Sequence, residues 1–199
     1  MSIPTVQKKI VLLGQSSVGK SSLVSQFCKS EFFENQEPTI GPVFLSKELE
    51  FSTHKVSLQI WDTGGQEKYA NLSPLFYRNA AAALVVFDLN KECTLNKAKE
   101  KIQALSTYGD PNMVITLVGN KCDLERQVNS EKVKEYCEEN GIMYFETSAK
   151  TGNGVEGVFQ QISRKFKLPK KEDFYQESGS KSWIIKLEKE KQNEKKKCC

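Results

Sequence analysis

The segment GQSSVGKS, residues 14–21, decides the fold of this chain. It fits the pattern G-x-x-x-x-G-K-S/T, whose glycines allow backbone amides to turn inward around a phosphate group. The apolar run at residues 10–13 precedes it, and Leu23, Val24 and Phe27 follow at helical spacing. The segment therefore lies between a strand and a helix, which is the structural setting in which this pattern binds phosphate.

The residues predicted to bind the nucleotide here are those of this segment except Gln15, together with the serine after it. They are Gly14, Ser16, Ser17, Val18, Gly19, Lys20, Ser21 and Ser22. A helix N-terminus carries positive potential, Lys20 adds a full positive charge, and the Ser21 hydroxyl can bind Mg2+. The alternative is a glycine-rich turn without a ligand, which the flanking strand and helix patterns disfavour. We therefore predict that the chain binds a nucleoside phosphate.

Two further segments predict which base is bound. Asn120-Lys121-Cys122-Asp123 follows the apolar run at residues 114–118, at the carboxyl edge where open α/β sheets bind ligands. The Asp123 carboxylate can accept hydrogen bonds from N1–H and the 2-amino group of guanine, whereas adenine offers neither donor there. Ser148-Ala149-Lys150 follows a short strand at residues 143–145 and can supply a backbone amide to the guanine oxygen. Each segment alone also fits an ordinary polar loop, but together they indicate guanine.

The segment Asp62-Thr63-Gly64-Gly65-Gln66, which ends a strand of alternating pattern, predicts hydrolysis. Asp62 can hold Mg2+ through water, the Gly65 amide can meet the γ-phosphate, and Gln66 can orient a water for in-line attack. Thr39, in the preceding loop, can complete the Mg2+ shell and contact the γ-phosphate. The alternative for residues 62–66 is a turn built from aspartate and glycine.

Apolar strand-like runs alternate along the chain with stretches of helical spacing, which predicts an α/β fold. We predict a mostly parallel six-stranded sheet, one antiparallel edge strand in a hairpin at residues 44–61, and about five helices. The last helix is expected to open at Asn153, with Glu156 three residues later as in a capping box. The 199 residues suggest one domain at 8–168, after an N-terminal extension at 1–7 and before a flexible tail at 169–199.

Charge and composition exclude several classes of function. Nine lysines and six acidic residues follow Pro169, so the rest of the chain carries a net charge of only about +1. A body this close to neutral does not suggest a nucleic-acid-binding protein. The longest apolar run, residues 80–87, is too short to span a bilayer, and the first residues lack the apolar core of a signal peptide. His54 is the only histidine, which argues against histidine-based catalysis.

In their order and spacing, these segments resemble the motifs of the Ras-like small GTPases across residues 8–168. Within that group, Ile40-Gly41-Pro42-Val43-Phe44, Tyr77-Arg78 and Cys198-Cys199 look like the Rab family. Residues 74–80 look most like its early-endosome branch. The resemblance implies a P-loop NTPase-type G domain that binds GTP and GDP with Mg2+. It also implies a GTPase that is slow without an activating protein.

The resemblance implies roles for individual residues. Phe32 would pack on the guanine edge and Lys121 along the base plane. Ser21 and Thr39 would bind Mg2+ directly, and Asp62 would bind it through water. Residues 34–44 and 64–77 would form two switches that the γ-phosphate orders. The effector-binding residues would be Phe44, Trp61 and Tyr77, and half-buried sheet packing is compatible with the same three side chains.

The partners implied are a guanine-nucleotide exchange factor, a GTPase-activating protein, a GDP dissociation inhibitor, a Rab escort protein with its prenyltransferase, and membrane effectors. Cys198 and Cys199 would both be geranylgeranylated and would anchor the chain to a membrane. The location implied is the cytoplasmic face of endomembranes, with the early endosome favoured, or the plasma membrane, alongside a cytosolic pool. The function implied is a GTP/GDP switch that regulates vesicle traffic of the endocytic kind.

Gly64 departs from the family, which normally has alanine at this position, and it can loosen the loop that carries Gln66. Three alternatives stay open. An ATP-dependent P-loop enzyme is disfavoured by Asp123, and a soluble nuclear-transport or elongation GTPase by the adjacent Cys198 and Cys199. A scaffold that binds nucleotide without hydrolysing it is disfavoured by Gln66 but is compatible with Gly64.

Overall fold

The computed structural model of the chain describes residues 4–64 and 77–167. The strands are β1 (Thr5–Leu13), β2 (Val43–Glu50), β3 (Lys55–Asp62), β4 (Ala82–Asp88), β5 (Val114–Asn120) and β6 (Met143–Glu146). The helices in the described ranges are α1 (Lys20–Lys29), α2 (Glu92–Tyr108), α3 (Ser130–Glu139) and α4 (Val155–Lys165). None of these helices is long and apolar enough to cross a bilayer.

The strands form one six-stranded sheet in the order β2-β3-β1-β4-β5-β6. Each neighbouring pair is parallel except β2 and β3, which form an antiparallel hairpin at one edge. This topology confirms the predicted mostly parallel sheet with one antiparallel edge strand. The described residues hold four helices where about five were predicted. The stretch at 65–76, between β3 and β4, lies outside the described residues.

Strand β1 begins at Thr5, three residues before the domain boundary predicted at Lys8. Thr5, Val6 and Gln7 continue the parallel ladder with β3, opposite Lys55, Val56 and Ser57. Backbone hydrogen bonds make this pairing, so it does not need the apolar side chains on which the sequence prediction relied.

Two hydrophobic cores cover the two faces of the sheet. Ile10 and Leu12 of β1 pack on one face with α1 and α4, whereas Val11 and Leu13 pack on the other with α2 and α3. On the first face the rings of Phe27 and Phe159 stack with centroids 3.8 Å apart. Every residue of β4 is buried, as expected for a parallel strand covered on both sides. The buried faces leave the carboxyl edge of the sheet open to the loops that form the site.

Helix α4 does not begin with the predicted capping box. Gly154 is its N-cap, with φ of 71° and no side-chain hydrogen bond to the helix N-terminus. A Cβ at Gly154 would lie 2.4 Å from the Glu146 carbonyl oxygen. The start of α4 therefore depends on a glycine that packs against the end of β6, and the prediction from Asn153 and Glu156 was wrong.

Candidate functional site

Loops at the carboxyl edge of the sheet surround a cavity of about 500 Å³. We call them the phosphate loop (residues 14–21), the Thr39 loop (32–39), the Asn120 loop (120–126) and the Ala149 loop (147–150). The predicted contact residues that line this cavity come from each of these loops and the start of α1. They are Ser16, Ser17, Gly19, Lys20, Ser21, Ser22, Phe32, Thr39, Asn120, Lys121, Asp123, Ala149 and Lys150.

Among the described residues, three predicted contact residues are not part of the cavity wall but hold the loops behind it. The Gly14 carbonyl accepts a hydrogen bond from Lys20 Nζ at 3.1 Å, and the Val18 carbonyl accepts one from Asn120 Nδ2 at 2.9 Å. Ser148 Oγ accepts a hydrogen bond from the Thr151 amide at 3.1 Å. These residues shape the site through their backbone and hydrogen bonds.

The phosphate loop and α1 form a positive pocket floor. Helix α1 begins at Lys20 directly after Gly19, which as the N-cap residue has no side chain to cap the first amides. Lys20 is buried, and its Nζ also donates to the Gln15 carbonyl at 3.0 Å. An uncapped helix N-terminus beside a buried ammonium group is suited to bind an anion such as a phosphate.

Ser21, Thr39 and Asp62 bring side-chain oxygens together beside this floor. Ser21 Oγ lies 2.7 Å from Thr39 Oγ1 and donates a hydrogen bond to Asp62 Oδ2. Asp62 is only 2% exposed, and its Oδ1 has no hydrogen-bond partner among the described residues. Burial raises the pKa of Asp62, against the hydrogen bond from Ser21 and the charge of Lys20, which lower it.

This group of oxygens fits the Mg2+ that the sequence predicts. Hydroxyl and carboxylate oxygens are the ligands that Mg2+ prefers, directly or through water. A buried carboxylate oxygen without a partner is costly, and a cation bound here would satisfy Oδ1 of Asp62. Ser21, Thr39 and Asp62 are therefore the residues that would hold the ion.

Gly64 brings the Thr39 loop against the end of β3. A Cβ at this position would lie 2.7 Å from the Thr39 carbonyl oxygen, which is closer than side chains normally approach a backbone. Glycine in place of the family's alanine therefore permits the close contact between Gly64 and Thr39 in this structure.

Asn120 connects its own loop to the phosphate loop and the Ala149 loop through hydrogen bonds, and we call this set of bonds the Asn120 brace. Asn120 is 1% exposed, and its Oδ1 accepts hydrogen bonds from Thr147 Oγ1 at 3.2 Å and from the Ala149 amide at 3.1 Å. Its Nδ2 bond to Val18 extends the Asn120 brace to the phosphate loop. Asp123, by contrast, is exposed on the cavity wall, where its carboxylate can meet a ligand.

Asp88 is a site residue that the sequence interpretation missed. It lies at the end of β4, is buried, and its Oδ2 accepts a hydrogen bond from Lys121 Nζ at 2.7 Å. Lys121 Nζ also donates to the Ser17 carbonyl at 3.0 Å, so the lysine stem is held across the cavity edge. An acidic residue at the carboxyl end of a buried parallel strand was the signal that could have identified it.

The Thr39 loop is attached to both sides of the cavity. Lys150 Nζ lies 2.9 Å from Glu34 Oε1, and Ser22 Oγ donates to Gln36 Oε1 at 2.9 Å. Phe32, the predicted partner of the guanine edge, is half-buried against the first core and lines the cavity. The loop therefore covers the cavity through contacts with the Ala149 loop and with α1.

The predicted effector residues separate into two environments. Phe44 is 51% exposed, and its ring meets that of Trp61 edge-on with centroids 5.6 Å apart. Tyr77 is 6% exposed and packs in the second core. The structure thus brings Phe44 and Trp61 together at the hairpin surface and places Tyr77 beneath the surface. Gly65, Gln66, Cys198 and Cys199 lie outside the described residues.

Comparison with known proteins identifies the family. The Ras family model matches residues 9–168. The chain belongs to the Ras family. The Ras-family membership confirms the predicted G domain and the predicted resemblance to small GTPases, and it sets aside the alternative of an ATP-dependent enzyme.

The relatives place this Ras-family chain beside Rab proteins. It is 47% identical over 159 residues to Ras-related protein Rab5 of Nicotiana tabacum, covering 79% of this chain and 80% of the relative. It is 46% identical over 163 residues to Ras-related protein RABF2b of Arabidopsis thaliana, covering 81% and 82%. Ras-related protein Rab-5A of Dictyostelium discoideum is 42% identical over 195 residues, covering 97% and 96%. These matches confirm the predicted similarity to the early-endosome branch of the Rab family.

Proposed function

We propose that the chain is a Rab-type switch that binds GTP and GDP, hydrolyses GTP to GDP and phosphate, and recruits effectors that regulate endocytic vesicle traffic. The observation that carries this proposal is the cavity itself. It joins the uncapped N-terminus of α1 and buried Lys20 at one end to the exposed carboxylate of Asp123 at the other. The similarity to Rab5 and RABF2b supports the trafficking role.

In the proposed cycle, one end of the cavity binds the base and the other end binds the phosphates. Asp123 accepts hydrogen bonds from guanine, while Lys20 and the amides of α1 bind the phosphates. Ser21, Thr39 and Asp62 would hold Mg2+, which when bound neutralises charge on the phosphates. Gln66 orients the attacking water, and no covalent intermediate forms.

The Thr39 loop is the proposed switch element. It is held by Lys150, by Ser22 and through Thr39 itself, and the first two contacts involve exposed side chains. An exposed ion pair such as Lys150–Glu34 and a neutral hydrogen bond such as Ser22–Gln36 each contribute little stability. A γ-phosphate contact at Thr39 can therefore decide whether the loop stays closed. Loss of that contact after hydrolysis would allow the Thr39 loop to open. Effectors would then lose their binding surface on this loop and the neighbouring Phe44.

Replacing Gln66 with leucine is expected to slow single-turnover GTP hydrolysis by about tenfold or more, because the group that orients water is removed. GTP and GDP binding should stay close to wild type. Phosphate release from the preloaded protein is the measurement, and Gln103→Leu on the exposed face of α2 is the matched control. Equal rates for wild type and Gln66→Leu would favour the nucleotide-binding scaffold, with Gly64 as the cause of an inactive loop.

The membrane anchor is the second part of the proposal. Cys198 and Cys199 would each carry a geranylgeranyl group, and two chains give stable attachment where one gives only reversible binding. An escort protein with its prenyltransferase would add the lipids, and a GDP dissociation inhibitor would maintain the cytosolic pool. An exchange factor and an activating protein would control the nucleotide state at the cytoplasmic face of the early endosome.

Changing both Cys198 and Cys199 to serine is expected to move the full-length chain from the membrane fraction to the soluble fraction, because both lipid sites are lost. GTP binding should not change. Cell fractionation is the measurement, with Cys93→Ser as a control at an exposed thiol of α2. Mass spectrometry of the wild-type C-terminal peptide gives the deciding result, since a mainly unmodified peptide would contradict the anchor.

A further inference from the structure

Glu146 and Arg126 join the two loops on the base side of the cavity. Glu146 is the last residue of β6 and directly precedes the Ala149 loop. Arg126 is the last residue of the Asn120 loop. Its guanidinium donates to both carboxylate oxygens of Glu146, with Nη1 2.7 Å from Oε1 and Nη2 bound to Oε2. This two-bond geometry fixes orientation as well as distance.

Two further hydrogen bonds hold the Glu146 carboxylate in place. Tyr144 OH donates to Oε1 at 2.8 Å, and Ser130 Oγ, at the start of α3, donates to the same oxygen at 3.2 Å. Burial alone would raise the pKa of Glu146, but the hydrogen bonds from Arg126 and Tyr144 outweigh it and the pKa lies below its usual value. Burial also raises the pKa of Tyr144, so its hydroxyl remains a donor. The Glu146 carboxylate is therefore charged, and both of its oxygens accept hydrogen bonds.

The segment that carries Asp123 is tied to its surroundings at both ends. Before it, the Cys122 amide donates to the Thr147 carbonyl at 3.0 Å. After it, the Arg126 guanidinium is fixed by Glu146. Other hydrogen bonds join the same segment to the end of β4, where the Leu89 carbonyl accepts from the Gln127 and Val128 amides. The Cys122 and Arg126 connections are the ones that tie the exposed Asp123 to β6 and the Ala149 loop.

We propose that Glu146 is a positioning residue for guanine recognition, which acts through Arg126 to align Asp123 with the Ala149 loop. This role rests on the proposed guanine nucleotide site. Neither Glu146 nor Arg126 is part of the cavity wall, so both act without touching the nucleotide. A purely structural ion pair would change stability, whereas a positioning pair changes the preference between bases.

Inosine diphosphate separates the two roles, because hypoxanthine lacks the 2-amino group that Asp123 would accept from. The measurement is the dissociation constant of GDP and of inosine diphosphate for the full-length chain, by fluorescence competition. For Glu146→Gln we expect weaker GDP binding and a preference for GDP over inosine diphosphate that is reduced by about fivefold. The reason is that a misaligned Asp123 would form a weaker charged hydrogen bond with the 2-amino group of guanine. Glu100→Gln, which breaks the exposed pair with Lys97 on α2, should leave that preference unchanged.

Arg126→Gln provides a second, independent variant at a half-exposed position, and it should reduce the preference as Glu146→Gln does. The double variant should match either single variant, because both changes break one connection. An unchanged preference in a folded variant, with or without a lower melting temperature, would overturn the positioning role. Failure of the wild-type chain to prefer GDP over inosine diphosphate would instead contradict the proposed guanine site.

Discussion

Replacing Asp123 with asparagine is expected to weaken GTP and GDP binding by ~2–3 kcal/mol, or about 30- to 150-fold. The carboxylate can accept from both N1–H and the 2-amino group of guanine, whereas an asparagine amide offers one acceptor and a competing donor. Xanthine carries a carbonyl oxygen in place of the 2-amino group, so the asparagine N–H gains a partner there. The variant should therefore prefer xanthine nucleotides.

The fold should tolerate this change because Asp123 is exposed on the cavity wall. Competition between GDP and xanthosine diphosphate for a fluorescent nucleotide measures the preference. Asp110→Asn in the exposed loop after α2 is the matched control and should bind GDP as wild type does. If Asp123→Asn kept the wild-type order of preference, the carboxylate would not be the acceptor for guanine.

Replacing Gly19 with alanine is expected to weaken nucleotide binding by about 100-fold or more and to reduce the free energy of unfolding by about 1–3 kcal/mol. Gly19 has φ of 94°, and a Cβ there would lie 2.3 Å from Asn120 Nδ2. The new methyl group would displace Asn120 from its bond to Val18 and disturb the Asn120 brace. Both the phosphate end and the base end of the cavity would shift.

Gly157→Ala is the matched control for that substitution. Gly157 lies within α4, and a Cβ there would meet open space. Alanine is favoured over glycine in a helix, so the control should bind nucleotide normally and gain about 0.5–1 kcal/mol in the free energy of unfolding. Urea unfolding and nucleotide titration on both variants give the comparison. Normal nucleotide binding by Gly19→Ala would contradict the steric argument.

Elements that depend on local pattern could be predicted from the sequence. The strand, turn and helix around the phosphate loop, the buried β4 and the edge hairpin all follow from apolar periodicity and turn residues. The start of helix α4 and the start of strand β1 could not be predicted in this way. Gly154 is required by its approach to Glu146, and Thr5 joins β1 by pairing with β3, so both depend on distant chain segments.

The same distinction applies to the site. The residues whose chemistry identifies them, such as Lys20 and Asp123, line the cavity as predicted. The side chains that support the cavity residues were missed. Asp88 pairs with Lys121, and Arg126 pairs with Glu146, only because the sheet order brings β4, β5 and β6 side by side. Aromatic character alone does not show whether a side chain lies at the surface or in the core, and the structure places Tyr77 in the second core. Its effector role stays a prediction.

The most direct test of a guanine-specific switch is competition of unlabelled nucleotides for a fluorescent GDP bound to the purified full-length chain with Mg2+. We predict that GTP and GDP displace the label at near-stoichiometric concentration, while ATP fails to displace it at a large excess. Asp123 at the base end of the cavity is the physical reason for this difference. Displacement by ATP at the same concentration as GTP would contradict the account.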